Sequence, residues 1–230
     1  MPAKNCIKSY IENSHYHLYN RGVEKRTIFQ DSQDYAVFLN YLKEYLLPKD
    51  EQDLRNKLAD PDRSYKEKDK ILKLLRLNNF TDEIFLIAYC LMPNHFHLLV
   101  KQKSSYGIDV FMQSLCTRYT MYFNRKYKRV GSLFQSVYKA VLVNTDEQFL
   151  HLTRYIHKQA LASQGETLQG MKGYEQPSSY QDYIGKRNTP WIHPEDVLAN
   201  FSKTIPSLSY ESFVSQEEEL EVIGKLILDN

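Results

Sequence analysis

Two histidines stand either side of a phenylalanine in the run Met92-Pro93-Asn94-His95-Phe96-His97-Leu98-Leu99-Val100. The run reads as a β-strand, in which successive side chains point to opposite faces. His95 and His97 therefore share one face and Phe96 takes the other. Two imidazoles one pleat apart can hold a single metal ion, and Leu98-Leu99-Val100 then returns the strand to a core. The same pattern also arises where a half-exposed strand merely carries two polar residues, so the pair needs partners elsewhere in the chain.

Such partners are offered by Arg154-Tyr155-Ile156-His157-Lys158-Gln159, which reads as helix. Tyr155 and Gln159 are four residues apart and share a face, one turn from each other, with His151 a further turn back. Phe149, Leu152 and Ile156 point elsewhere, towards a core. A tyrosine hydroxyl beside a two-histidine metal site suggests a definite reaction. The phenolate attacks a phosphodiester and a covalent phosphotyrosine forms, while the metal polarises the scissile phosphate. Gln159 can supply a third, neutral oxygen ligand, and this donor set with open positions suits Mg²⁺ or Mn²⁺. The chain has 18 tyrosines, however, and packing is the ordinary role of any one of them.

The elements that must position these groups follow from periodicity and punctuation. Tyr16 to Asn20 reads as a first strand, with a turn at Arg21-Gly22. Asp31 to Leu47 reads as an amphipathic helix carrying Phe38, Leu39, Leu42, Tyr45 and Leu46, stopped by Pro48. Residues 49–79 are densely charged with both signs mixed and read as a helical insertion projecting from the core. Glu83 to Met92 and His95 to Lys101 form two strands whose short Pro93-Asn94 link predicts an antiparallel hairpin. Asp109 to Tyr127 reads as helix, Val137 to Val143 as a fourth strand, and Thr145-Asp146-Glu147-Gln148 as a capping box opening a helix to about Ala162. The resulting order, β-α-(insertion)-β-β-α-β-α, predicts an α+β fold of the split βαβ, ferredoxin-like kind. Its antiparallel sheet would carry helices on one face and leave the other open for a substrate. Residues 1–165 would form this domain and 166–230 a C-terminal extension, acidic near its end at Glu217, Glu218, Glu219 and Glu221.

At 230 residues and 42% hydrophobic, the chain can bury a sizeable core, and its formal charge of +2 argues for no particular partner. The distribution of charge is more informative. From Val110 to Thr145 there is no acidic residue, while Arg118, Arg125, Lys126, Lys128, Arg129 and Lys139 are interleaved with aromatics. Basic groups neutralise phosphates and aromatic faces stack on unpaired bases, so this stretch points to a nucleic-acid surface. Arg21 could also contact phosphate. Cys6, Cys90 and Cys116 form no zinc or redox pattern and read as free thiols in a reducing cytoplasm. No apolar run is long enough for a membrane span, and no signal peptide is expected.

Read together, these residues resemble the HUH single-tyrosine transposases of the insertion-sequence type, which include the REP-associated tyrosine transposases. The resemblance rests on Tyr16-His17 with Asn20-Arg21-Gly22, on Ala88-Tyr89 with Met92 to Leu99, on Tyr122-Phe123-Asn124-Arg125, on Gly131 to Gln135, on Arg154 to His157 and on Ser178-Ser179-Tyr180. It covers roughly residues 15 to 200, the insertion excluded. It implies an HUH endonuclease fold with His95, His97 and Gln159 as metal ligands. Tyr155 would be the nucleophile, leaving a 5′-phosphotyrosine and a free 3′-hydroxyl on single-stranded, often hairpin-containing DNA. Gln159-Ala160 stands where the REP-associated branch has Asn-Pro, and Val137 stands where an Arg is usual. The resemblance leaves a monomer and a homodimer both open.

Two other readings compete. A split βαβ sheet with stacking aromatics can bind single-stranded nucleic acid without cutting it. A rolling-circle replication initiator would use similar chemistry, although the chain has no P-loop. His15-Tyr16-His17 is a second His-x-His on a predicted strand. It reads as structural, with His17 near the site. Asn94 either orients a neighbouring group or fills the turn.

Overall fold

The first strand lies inside the sheet rather than at its edge. β1 (His15–Arg21) pairs antiparallel with β3 (His95–Gln102) on one side and with β4 (Lys139–Leu142) on the other. β3 pairs in turn with β2 (Ile84–Met92), so the four-stranded order is β2-β3-β1-β4. The computed structural model describes residues 10–162, 176–216, 220–224 and 226. Cys6 and Glu217 to Glu219 lie outside them.

Helix α1 (Ser32–Leu46) follows β1, and α4 (Gly107–Lys126) links β3 to β4, which completes the ferredoxin-like split βαβ order. Asp31 caps α1, accepting the backbone N–H of Asp34 at 3.0 Å. The charged insertion forms a helical pair, α2 (Glu51–Ala59) and α3 (Tyr65–Arg76). The first of these buries no residue, as its composition predicts. α5 (Asp146–Ala162) starts at Thr145, whose hydroxyl accepts the N–H of Gln148 at 3.1 Å. The Gln148 side chain reaches back one residue further than in the usual box, to the N–H of Asn144 at 3.0 Å.

The β2–β3 hairpin is closed by Pro93-Asn94, with Met92 paired to His95. The turn is held from outside. Ile28 and Phe29 donate to the Pro93 carbonyl at 2.7 and 3.0 Å, and Gly22 donates to that of Asn94 at 2.8 Å. Only glycine fits at position 22, because a Cβ would stand 2.3 Å from the Arg26 carbonyl oxygen.

Strand alternation divides the apolar residues between two cores. Leu18, Phe96, Leu98 and Val100 face one side and pack with Phe38, Leu42 and Tyr45 of α1 and Phe111, Leu115, Tyr119 and Phe123 of α4. The opposite face is not open as the sequence suggests. Ala88, Cys90 and Leu99 are buried there beneath Phe149, Leu152, Tyr155, Ile156 and Ala160 of α5. The C-terminal segment shares this second core through α6 (Tyr180–Tyr183), α7 (Glu195–Leu198), α8 (Tyr210–Ser215) and α9 (Leu220–Ile223). It also covers the outer edge of β2: Leu91 donates to Pro177 at 2.9 Å, Ser179 to Tyr89 at 3.1 Å and His193 to Leu86 at 2.8 Å. His157 ties α5 to this segment, its Nδ1 2.7 Å from the Tyr210 hydroxyl and its Nε2 2.8 Å from Ser179 Oγ.

The first core has a polar clasp between its two helices. The Asp34 carboxylate is fully buried and accepts from Gln30 N at 2.8 Å, Tyr122 Oη at 2.9 Å, Lys126 Nζ at 2.7 Å and Tyr127 Oη at 2.7 Å. Removing it would leave several partly buried donors without their acceptor at once. Asp34→Ala is therefore expected to lower the unfolding free energy by about 2–4 kcal/mol, measured by urea denaturation at neutral pH. A loss below about 0.5 kcal/mol, the size of an ordinary surface change, would refute this account of the clasp.

Candidate active site

The site is built where β3 crosses beneath α5. His97 points into the second core and is fully buried, while Phe96 beside it is fully buried in the first. His95 lies further towards the hairpin turn and is half-buried. The two imidazoles meet edge to face, with centroids 4.9 Å apart and planes at 90°.

Each ring is held through its Nδ1. His95 Nδ1 lies 2.6 Å from Asn94 Oδ1, so Asn94 orients the histidine that follows it as well as occupying the turn. His97 Nδ1 lies 2.9 Å from Nε2 of His17 on β1, with the two rings stacked at 5.0 Å. His17 Nδ1 bonds in turn to the backbone carbonyl of Leu226. Burial pushes the His17 pKa down to about 4, only partly opposed by the Leu226 contact. Burial also drives His97 well below the ordinary histidine value, assisted by His17, His95 and Arg21. Both rings are therefore neutral at pH 7. His15 stands apart, tilted against Phe149 at 4.5 Å, and burial lowers its pKa too.

Tyr155 reaches this place from α5. Its ring packs edge-on against His97, with centroids 5.6 Å apart and planes at 86°. The residue is 2% exposed, and its hydroxyl is screened from solvent. Gln159 is half-buried one helical turn further on, about 5–6 Å away between Cβ atoms at this spacing. His151 turns aside: its Nδ1 meets Arg154 at 2.8 Å and its ring meets Phe213 at 5.7 Å.

A divalent cation fits what is present. His97 Nε2 is buried without a hydrogen-bond partner among the described residues, which is the condition of an imidazole ligand before its ion arrives. Among the described residues no group of three His, Cys, Asp or Glu side chains gathers to form a closed metal centre. The donor set is thus two imidazoles with an amide within a helical turn of Tyr155, and it leaves positions open for substrate oxygens.

The basic residues divide between the two faces. Paired strand residues share a face, so Arg21 opposite His95 and Lys139 opposite Tyr19, itself opposite His97, lie on the histidine side. Lys139 is exposed. Arg118 and Lys126 belong to α4, across the sheet, and are engaged within the protein. Arg118 pairs with Glu44 at 2.6 Å and lies 3.8 Å over the Tyr41 ring. Lys126 bonds Asp31 and Asp34, each at 2.7 Å. Arg125 and Lys128 are exposed near the end of α4, and Arg129 there holds Asn124 at 3.0 Å. His17 lies near the site as its sequence suggests, but its bond to His97 and the part played by Leu226 depend on strand register and tertiary packing, which neither segment carries alone.

The fold and this cluster define a class: a ferredoxin-like sheet that presents a His-x-His pair to a helical tyrosine. The model of the family "Transposase IS200 like" matches residues 55–159, a span that runs from α2 through both histidines and Tyr155 to Gln159. Over that span the chain is similar to the IS200-like transposase family. No curated protein matches the sequence. Among solved structures, a REP-associated tyrosine transposase bound to a REP hairpin is similar at 10% identity, covering 89% of this chain and 96% of that one, with a TM-score of 0.48. A candidate transposase from Deinococcus radiodurans R1 is similar at 14% identity over 67% of this chain and 97% of that one, with a TM-score of 0.35.

Proposed function

We propose that this protein cleaves and rejoins single-stranded DNA through a covalent 5′-phosphotyrosine at Tyr155, with a divalent metal, Mg²⁺ or Mn²⁺, held by His95, His97 and Gln159. The observation that carries the reading is the contact of Tyr155 with His97 of the same chain, ring centroids 5.6 Å apart. The tyrosine and the histidine come from different elements, and both lie within the family-matched span.

Tyr155 gives up its phenolic proton and its oxygen attacks phosphorus. The bond from phosphorus to the 3′ oxygen breaks, and that oxygen leaves as a 3′-hydroxyl after taking up a proton. Rejoining is the reverse: a 3′-hydroxyl attacks the phosphotyrosine and frees Tyr155. The bound cation would polarise the scissile phosphate and offset charge on its oxygens. Around it, the chain's own groups position the reactants. Asn94 orients His95, α5 aims Tyr155, and Arg21 and Lys139 supply positive charge on the same face for the backbone phosphates. Arg125, Lys128 and Arg129 would add positive charge around the end of α4. Because the Tyr155 hydroxyl is screened, a phosphodiester reaches it only after neighbouring groups part.

Incubation with a hairpin-containing single strand and Mn²⁺ is expected to yield a covalent protein–DNA adduct. Tyr155→Phe and the His95→Ala/His97→Ala double variant should both reduce that adduct to background. An adduct that persists in Tyr155→Phe would move the nucleophile to another tyrosine, and DNA binding with no adduct in the wild type would favour the non-catalytic binder. The two faces also separate by charge. Lys139→Gln should weaken binding of the same strand and reduce the slope of log K against log salt by about 0.7. Arg118→Gln, which removes a residue already paired with Glu44, should leave that slope unchanged.

A further inference from the structure

His17 is buried and conserves its hydrogen bonds entirely within the protein, yet the proposed reaction assigns it no step. Its two contacts have a consequence for His97. The Leu226 carbonyl can only accept, so the His17 nitrogen facing it, Nδ1, must carry the hydrogen. In a neutral ring Nε2 is then the lone-pair nitrogen. That atom faces His97 Nδ1 at 2.9 Å, so the His97 nitrogen must be the donor. The hydrogen of neutral His97 is thereby placed on Nδ1, and its lone pair is left on Nε2. Nε2 is the buried atom with no partner among the described residues.

We infer that His17 is a positioning residue that fixes His97 as an Nε2 ligand, with the Leu226 carbonyl fixing His17 in turn. The inference rests on the metal reading above and names how that site is made ready. A ligating imidazole needs its other nitrogen occupied by an acceptor, which sets both tautomer and ring orientation. Here that acceptor is a second imidazole, and the final anchor is a backbone carbonyl from the last part of the chain. The stacking of the two rings at 5.0 Å, with planes 18° apart, adds a steric constraint on rotation. Asn94 does for His95 what His17 does for His97, since its Oδ1 accepts from Nδ1 of His95. One ligand is oriented locally and the other through a chain of contacts spanning most of the sequence.

The test uses the full chain without DNA. In the metal-free wild type, ¹⁵N-resolved NMR of the histidine rings should show His97 protonated at Nδ1 and unprotonated at Nε2. Mn²⁺ titration by calorimetry should then give binding weakened roughly 10- to 100-fold in His17→Phe, which retains a flat ring but offers no acceptor. His17→Gln, whose amide offers one acceptor and one donor, should recover most of that loss. His97→Ala should abolish binding. The inference is overturned if wild-type His97 carries its hydrogen on Nε2. It is also overturned if His17→Phe binds Mn²⁺ as tightly as wild type while His97→Ala does not, and the metal site then stands without it. Unchanged binding in His97→Ala would overturn the metal reading itself and this inference with it. The NMR measurement needs no variant, so it decides the matter even if His17→Phe fails to fold.

Discussion

The phase of β3 is the constraint on which everything else depends. Phe96, Leu98 and Val100 are fully buried in the first core, and they determine which way every other side chain of the strand must point. A slip of one residue would carry both histidines into an apolar core and turn Phe96 towards α5. Truncating a buried phenylalanine costs about 3–5 kcal/mol, so the packing of Phe96 against Phe38 and Phe134 holds this phase firmly. The hairpin turn resists the same slip from the end of the strand, because residues 22 to 29 bond to both of its carbonyls.

A second core follows from the first. Once the histidines face away from α1 and α4, their surroundings are set by whatever covers the other side. Helix α5 does this with Phe149, Leu152 and Ile156, and so brings Tyr155 onto His97. The C-terminal segment closes the same core, protects the edge of β2 and ends with the Leu226 carbonyl on His17. Enclosure keeps the His17 and His97 imidazoles neutral, and neutrality is the state a metal ligand needs. The cost is access, since the Tyr155 hydroxyl is shielded by the groups that position it.

Much of this was legible in the sequence, for physical reasons that can be named. The period of two at His95-Phe96-His97 and the four-residue interval from Tyr155 to Gln159 are local geometry, and the caps at Asp31 and Thr145 are local chemistry. The side of the sheet on which α5 would lie was not legible, because an apolar stripe declares burial but not against what. Nor were the roles of Arg118 and Lys126. Their acid-free neighbourhood suggested phosphate contacts, while Glu44 and Asp34 of α1 and its cap Asp31 approach from far earlier in the chain, Asp34 and Asp31 standing 92 and 95 residues before Lys126. His17 was singled out only by type. Its contact with His97 is diagonal across β1 and β3, and strand register is not written in either segment alone.

In the proposed reaction one chain brings its own histidines and its own tyrosine into a single site. Mixing Tyr155→Phe with the His95→Ala/His97→Ala variant probes this most directly, with covalent adduct on a hairpin-containing single strand as the readout. No adduct above that of either variant alone is expected, because neither protein carries both halves of the site. Adduct restored by mixing would show that Tyr155 of one copy serves the histidines of another, and would overturn the single-chain site.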